Sequence, residues 1–316
     1  MRDTGDPHSA EAADTAVLAR RIERIAGATL AAFVPLTGRL HARLQSLPAA
    51  DTAALLRTLQ DTHHAVRDAH YREALPRWLR WLHTPRAPGR RFQSDCRDAL
   101  ACCTRVTERS QRLAGQHPPA DAGTRLEPLL DESLEALDRV AASVAKAQAL
   151  LATLWGGLRP QRPDPADAGS LDTLRSLLAE VDGQRLVLQR LDSGCAAAHD
   201  VARLGRAVLA GRTELLALAD ARFTRAWDDW RARIEPLVGE DLQPEQLRTG
   251  AREATAARRG LLLVLEQMRA VCTRLQIDEQ ALAQAQVQLA EQLAGLPPTD
   301  PDMTMPGTRA PAPSHD

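Results

Sequence analysis

Apolar residues recur along this chain at three- and four-residue spacing, and no convincing two-residue alternation interrupts them. That period marks helices with one buried face, so the pattern predicts an all-α protein. Six long periodic stretches stand out. The first covers about 10–47, with Pro35 as a predicted kink. The second starts at Asp51, a residue suited to an N-cap, and continues to about 82, where "HTPRAPG" stops it. A third spans about 91–114 and ends at Gly115. The fourth follows the loop "QHPPADAGT" and a capping box, "TRLE" at 124–127, and reaches Trp155 before Gly156 and Gly157. The fifth begins at Ser170 and continues to 238. Unbroken, it would be roughly 100 Å long at about 1.5 Å per residue. Gly194 and Gly211 are therefore the predicted places for a bend or a split. The sixth opens at Pro244, a residue suited to a first helical turn, and ends before Gly295 and the pair Pro297-Pro298.

Within the sixth stretch, Leu261, Met268, Leu275, Leu282 and Leu289 recur every seven residues. Val264, Val271 and Ala285 take the companion positions, which Asp278 interrupts. Such a seam predicts left-handed helix packing, within the chain or between two copies of it. The fifth stretch lines up Leu216, Ala219, Phe223, Trp227, Trp230 and Ile234 on one face. Two tryptophans there read as helix–helix core, with an exposed docking face as the sharper alternative. The expected architecture is an elongated bundle of long antiparallel helices with coiled-coil-like packing. Its predicted divisions are a disordered start at 1–9, a helical region at 10–155, a Pro/Gly-rich hinge at 156–169, a long helical hairpin at 170–295 and a disordered tail at 296–316.

One stretch resists a purely structural account. "REALPRWLRWLHTPRAPGRR" at 72–91 sets two tryptophans among arginines. Turned through about 100° per residue, Leu75, Trp78, Leu79 and Leu82 share a stripe continued backwards by Tyr71, with Arg77 and Arg80 opposite. Trp81 falls between the two faces. Stacking on a nucleic acid needs several exposed aromatics along a basic track, and only Trp81 is spare. Trp81 with Arg86, Arg90 and Arg91 is thus a candidate contact for a protein partner's acidic face, an anion or a membrane surface met from outside.

Composition narrows the chemistry. Hydrophobic residues make up 44% of the 316 positions but aromatics only 3%, and the apolar set is mostly Leu and Ala, which favours helix. Forty basic residues face 41 acidic ones, so the chain lacks the basic excess of a general nucleic-acid binder. Lys146 is the only lysine, which leaves no lysine for a P-loop or a Schiff base unless Lys146 serves. The rest of the positive charge is arginine, as in a GC-rich bacterial gene. Five cysteines, Cys96, Cys102, Cys103, Cys195 and Cys272, form no CxxC and predict reduced thiols. The start of the chain carries no apolar signal core, and "IAGATLAAFVPL" is too short to span a bilayer, so a cytoplasmic location is expected.

Two constellations have chemistry-bearing spacing. In "DTHHAVRDAH", Asp61, His64 and Asp68 share one helix face, and His63 and His70 lie nearly opposite. Metal sites in bundles need this pattern repeated on other helices, usually as Glu-x-x-His, and no second Glu-x-x-His occurs. Solvated charge is the plainer reading. Cys195 and His199 stand four apart, a geometry open to a thiolate–imidazolium pair or half a zinc site. Their small apolar neighbours favour a tight helix crossing instead. No GxGxxG, P-loop, GxSxG or HExxH is present. No catalytic residue, cofactor site or metal site is therefore assigned.

Three segments carry a family resemblance. "ATLAAFVPLTGRLHARLQ" with "LLRTLQDTHHAVRD", then "RWLRWLHTPRAPGRRFQSDCRDA", then "RLVLQRLDSGCAAAHDVARLGRAVLAGRTELLALADARFTRAWDDWRARI" resemble the toxic-anion (tellurite) resistance family of bacterial helical proteins. Trp227 matches the family's late tryptophan. The resemblance implies a cytoplasmic, non-enzymatic role in resistance to oxyanions such as tellurite or to envelope stress, exerted through a protein partner or self-association of helices. It transfers no catalytic residue. Two rival expectations are a helical adaptor of a phage, plasmid or secretion assembly, and a thiol-dependent oxyanion reductase acting through Cys195 or Cys272.

Overall fold

A computed structural model describes residues 7–45, 50–71, 88–116, 126–158, 168–239 and 242–297. Among these residues the fold is all-α, with long helices packed against each other and no strand. The helices are α1 (Pro7–Leu44), α2 (Ala50–Asp68), α3 (Pro88–Gln116), α4 (Leu126–Leu158), α5 (Ala168–Ala217), α6 (Thr224–Ile234) and α7 (Pro244–Ala294). A π-helical turn, Leu218–Phe223, joins α5 to α6, and a 3₁₀ turn, Glu235–Leu237, closes α6.

The chain forms two compact units that interleave in sequence. Unit one takes Met1–Leu44, Leu129–Arg203 and Ala283–Asp316, and unit two takes Gln45–Pro128 and Leu204–Leu282. This division differs from the expected split at 156–169. A local Pro/Gly run signals a loop, whereas unit membership depends on which distant helix faces meet.

In unit one the core joins Ala19, Ile22 and Ala26 of α1 to Ala147, Leu151 and Leu154 of α4 and to Val181 and Leu188 of α5. Each set follows helical spacing, so one stripe per helix is buried. Gly194 of α5 lies against Phe33 of α1. A Cβ at Gly194 would stand 3.1 Å from the Phe33 ring. In unit two, α2 buries Leu55, Leu59 and Val66, and α3 buries Cys96, Ala99, Cys103 and Val106. Thr62 of α2 donates both to its own helix, at Thr58 O (2.6 Å), and across to Cys102 O of α3 (3.3 Å). Both bonds satisfy a buried hydroxyl that would otherwise weaken the helix pair.

The seven-residue seam of α7 is buried throughout: Leu261, Met268 and Leu275 are fully enclosed, and Leu282 and Leu289 are nearly so. The ladder from Ala219 to Ile234 is also interior, with Phe223, Trp227, Trp230 and Ile234 all buried. The π turn lies within this ladder, and Thr224 bonds back to Ala219 O, five residues earlier. Its wider turn lets Ala219, Phe223 and Trp227, four apart each time, face the same side.

Several expectations are corrected. Helix α5 runs unbroken through Gly194 and Gly211. Both glycines serve close approach and not bending, because a Cβ at Gly211 would stand 3.2 Å from Leu275 Cδ1. Likewise α1 starts at Pro7 and continues through Pro35. Helix α4 passes Gly156 and Gly157 to end at Leu158. Helix α2 stops at Asp68, well short of 82, because its last carbonyls find side-chain partners. Arg67 O receives Arg258 Nη1 at 3.2 Å and lies 3.1 Å from His70 Nδ1. The stripe of Leu75, Trp78, Leu79 and Leu82 lies outside the described residues, as does most of the tail after 295.

Candidate functional site

Unit two contains a cavity of about 160 Å³ where the end of α2 meets α3, α6 and α7. The apolar wall is built from three separate segments. Tyr71 follows the end of α2, Phe92 comes from the first turns of α3, and Trp230 and Ile234 come from α6. Tyr71 and Phe92 meet edge to face at 5.7 Å between ring centres, a favoured aromatic geometry. Trp230 is fully buried, braced by Trp227 at 6.0 Å.

The opposite wall is α7. Arg248, Arg252, Thr255 and Arg258 line the cavity at i, i+4, i+7 and i+10, with Ala251 and Ala254 between them. Ala254 is buried and carries no bulk, which leaves the space open. No aspartate or glutamate contributes to the lining among the described residues. Arg258 is the most withdrawn of the three guanidiniums. Burial, and then the neighbouring Arg259, push its pKa below the ordinary arginine value. Trp230 adds a second polar feature. Its indole N–H is buried and meets no acceptor among the described residues, a condition that costs about 1–3 kcal/mol per donor. Three cationic groups, an indole donor and aromatic walls make this a site suited to an anion.

The sequence-derived candidates fall in different places. Trp81 and Arg86 lie outside the described residues. Arg90 and Arg91 are exposed on the first turns of α3, and Arg91 sits 4.0 Å from Asp95 one turn on. Trp227 and Trp230 are interior, 7% and 0% exposed, so neither offers the open docking face considered for them. Trp230 instead reaches the cavity described above. Tyr71, Phe92, Arg248, Arg252 and Arg258 were not singled out in sequence. The signal that could have found the arginines is their one-sided spacing on α7, with Glu253 off the lining face.

The cysteine and histidine constellations resolve into other contacts. His199 Nε2 lies 3.2 Å from Asp138 Oδ1 of α4, not in a thiolate pair with Cys195. Burial, and then Asp192, push the Cys195 thiol up to about 11. Cys96 and Cys272 are pushed to about 12 by burial, and Cys103 is raised for the same reason. All five cysteines are free and buried. These thiols are protonated at neutral pH, whereas a reactive thiol is an exposed thiolate. Asp61 sits in a shallow hollow beside Arg57, Arg105 and Arg109, among cations and not metal ligands. Among the described residues no three metal-ligating side chains converge, and no helix is long and apolar enough to cross a membrane.

No protein-family model, curated protein or solved structure matches the chain.

Proposed function

We propose that this protein is a non-enzymatic helical binding protein that holds an anion in the cavity between α2, α3, α6 and α7. One observation supports this reading above the others: three arginines line a cavity to which no carboxylate contributes. Withdrawn guanidiniums gain most from an anion, because the low local dielectric strengthens the attraction and the planar fork fits carboxylate or oxyanion geometry. The place of that binding in a cell, cytoplasmic resistance to toxic anions such as tellurite with a protein partner, rests on the family resemblance of the three segments given above.

The test is calorimetric titration with acetate, phosphate and tellurite at constant ionic strength. Saturable binding at one site per chain is expected. An Arg252→Gln/Arg258→Gln double variant, shown folded by circular dichroism, should lose at least about tenfold in affinity, or about 1.4 kcal/mol. Binding that the variant retains in full would place the anion elsewhere, and no binding to any anion by the parent would remove the reading.

A further inference from the structure

From the shape of the same cavity we infer its ligand class: a single-ring aromatic carboxylate, with the ring against Tyr71, Phe92 and Trp230 and the carboxylate toward Arg252 and Arg258. This inference rests on the anion reading and adds the body to which the charge is attached.

Size comes first. The cavity holds about 160 Å³, close to the roughly 150 Å³ void known to accept a benzene ring. A bare oxyanion would leave most of that space unfilled. It would also leave the apolar wall facing water. The wall chemistry agrees with the size. Tyr71, Phe92, Trp230 and Ile234 give a ring-sized apolar surface on one side, and the charges are confined to α7 on the other. A ligand that is apolar at one end and anionic at the other matches both walls at once. Edge-to-face contact, already adopted by Tyr71 and Phe92 at an interplanar angle of 77°, suits a third ring. The two alanines of α7, Ala251 and Ala254, set the depth available to it. The acceptor missing at the Trp230 indole N–H is a group that a carboxylate supplies. Arg258 is held in place beforehand by its bond to Arg67 O at 3.2 Å, so little side-chain freedom is lost on binding.

The experiment uses the full chain and four probes: benzoate, benzamide, acetate and phosphate, each titrated by calorimetry at fixed ionic strength. Benzoate is expected to bind at least about tenfold more tightly than acetate or phosphate, which lack the ring, and than benzamide, which lacks the charge. Ala251→Leu fills the ring space and should weaken benzoate at least about tenfold while leaving phosphate within about threefold. Arg258→Gln should weaken benzoate and phosphate alike. Thermal melts establish that each variant folds. Ala254→Val serves as the cavity-filling variant if Ala251→Leu does not fold. Acetate or phosphate binding as well as benzoate would overturn the aromatic inference and leave the anion reading standing. Benzamide binding as well as benzoate would overturn it from the other side. If none of the anions binds, both fall together.

Discussion

Arg212 and Arg258 belong to the same compact unit, and both are drawn away from water, yet they are satisfied in opposite ways. Arg212, on α5, is 2% exposed and meets Glu279 of α7 at 2.6 Å. Thr52 donates to the same carboxylate oxygen at 3.1 Å, and the backbone oxygen of Thr52 receives the Cys272 thiol at 3.4 Å. Its counter-charge is permanent and part of the fold. Arg258, half-buried on α7, donates to a helix-end carbonyl, and its strongest charged neighbour is another arginine. A withdrawn guanidinium with a fixed carboxylate ties two helices together. One with only a carbonyl beside an open cavity is arranged for a negative charge that comes from outside.

Removing the partner of the first arginine should have the largest effect. Glu279→Ala leaves Arg212 buried with its carboxylate gone, and chemical denaturation should show a loss of about 3–5 kcal/mol. Replacing both residues, as Arg212→Met with Glu279→Leu, should recover most of that loss, since the uncompensated charge then disappears too. A double variant no more stable than the single one would mean that packing, not charge, dominates at the pair. Trp230→Ala removes a fully buried ring from both the core and the cavity wall. A loss of about 3–5 kcal/mol is expected for such a truncation, together with loss of anion binding. A variant that melts like the parent would show that the ring is not core.

Smaller effects sharpen the contrast. Gly211→Ala pushes a methyl toward Leu275 beside the Arg212 pair, and overpacking there should cost about 1–3 kcal/mol. A neutral result would show that α5 and α7 can part slightly without penalty. The buried thiols set a pH limit. Their folded pKa values of about 11 for Cys195 and about 12 for Cys96 and Cys272 lie above the ordinary 9.0. Their contribution to stability is therefore complete below pH 9 and lost as the pH rises through the folded values. Denaturation midpoints should fall above pH 9, and alkylating reagents at pH 8 should leave the thiols of the native chain unmodified. Rapid native-state alkylation would contradict their burial. Arg258→Gln comes last. It removes one hydrogen bond to a carbonyl and no ion pair, so without ligand it should change stability by no more than about 1 kcal/mol.

The features legible in the sequence are those carried by period. The seam from Leu261 to Leu289 and the ladder from Ala219 to Ile234 are interior as their spacing requires, because burial of a stripe follows from the helix repeat alone. Gly194 and Gly211 were read as bends because glycine weakens a helix in isolation. Their use here is to admit Phe33 and Leu275, and a close approach belongs to a pair of helices, not to one. The end of α2 at Asp68 was hidden for a similar reason. It depends on Arg258, 191 residues away in sequence. The cavity could be read only in fragments. Trp230 was visible as a heavy apolar residue, but Arg248, Arg252 and Arg258 look like the solvated face of a helix until Tyr71 and Phe92 are placed opposite them.

The most direct measurement follows the two arginines side by side. Arginine side-chain ¹H–¹⁵N signals, assigned by Arg212→Gln and Arg258→Gln, would be recorded while benzoate is added at constant ionic strength. The account predicts a saturable shift of the Arg258 signal with the Arg212 signal unmoved, because Glu279 already holds the latter. If the Arg258 signal stayed still through the titration, or all arginine signals drifted together, the cavity on α7 would not be an anion site.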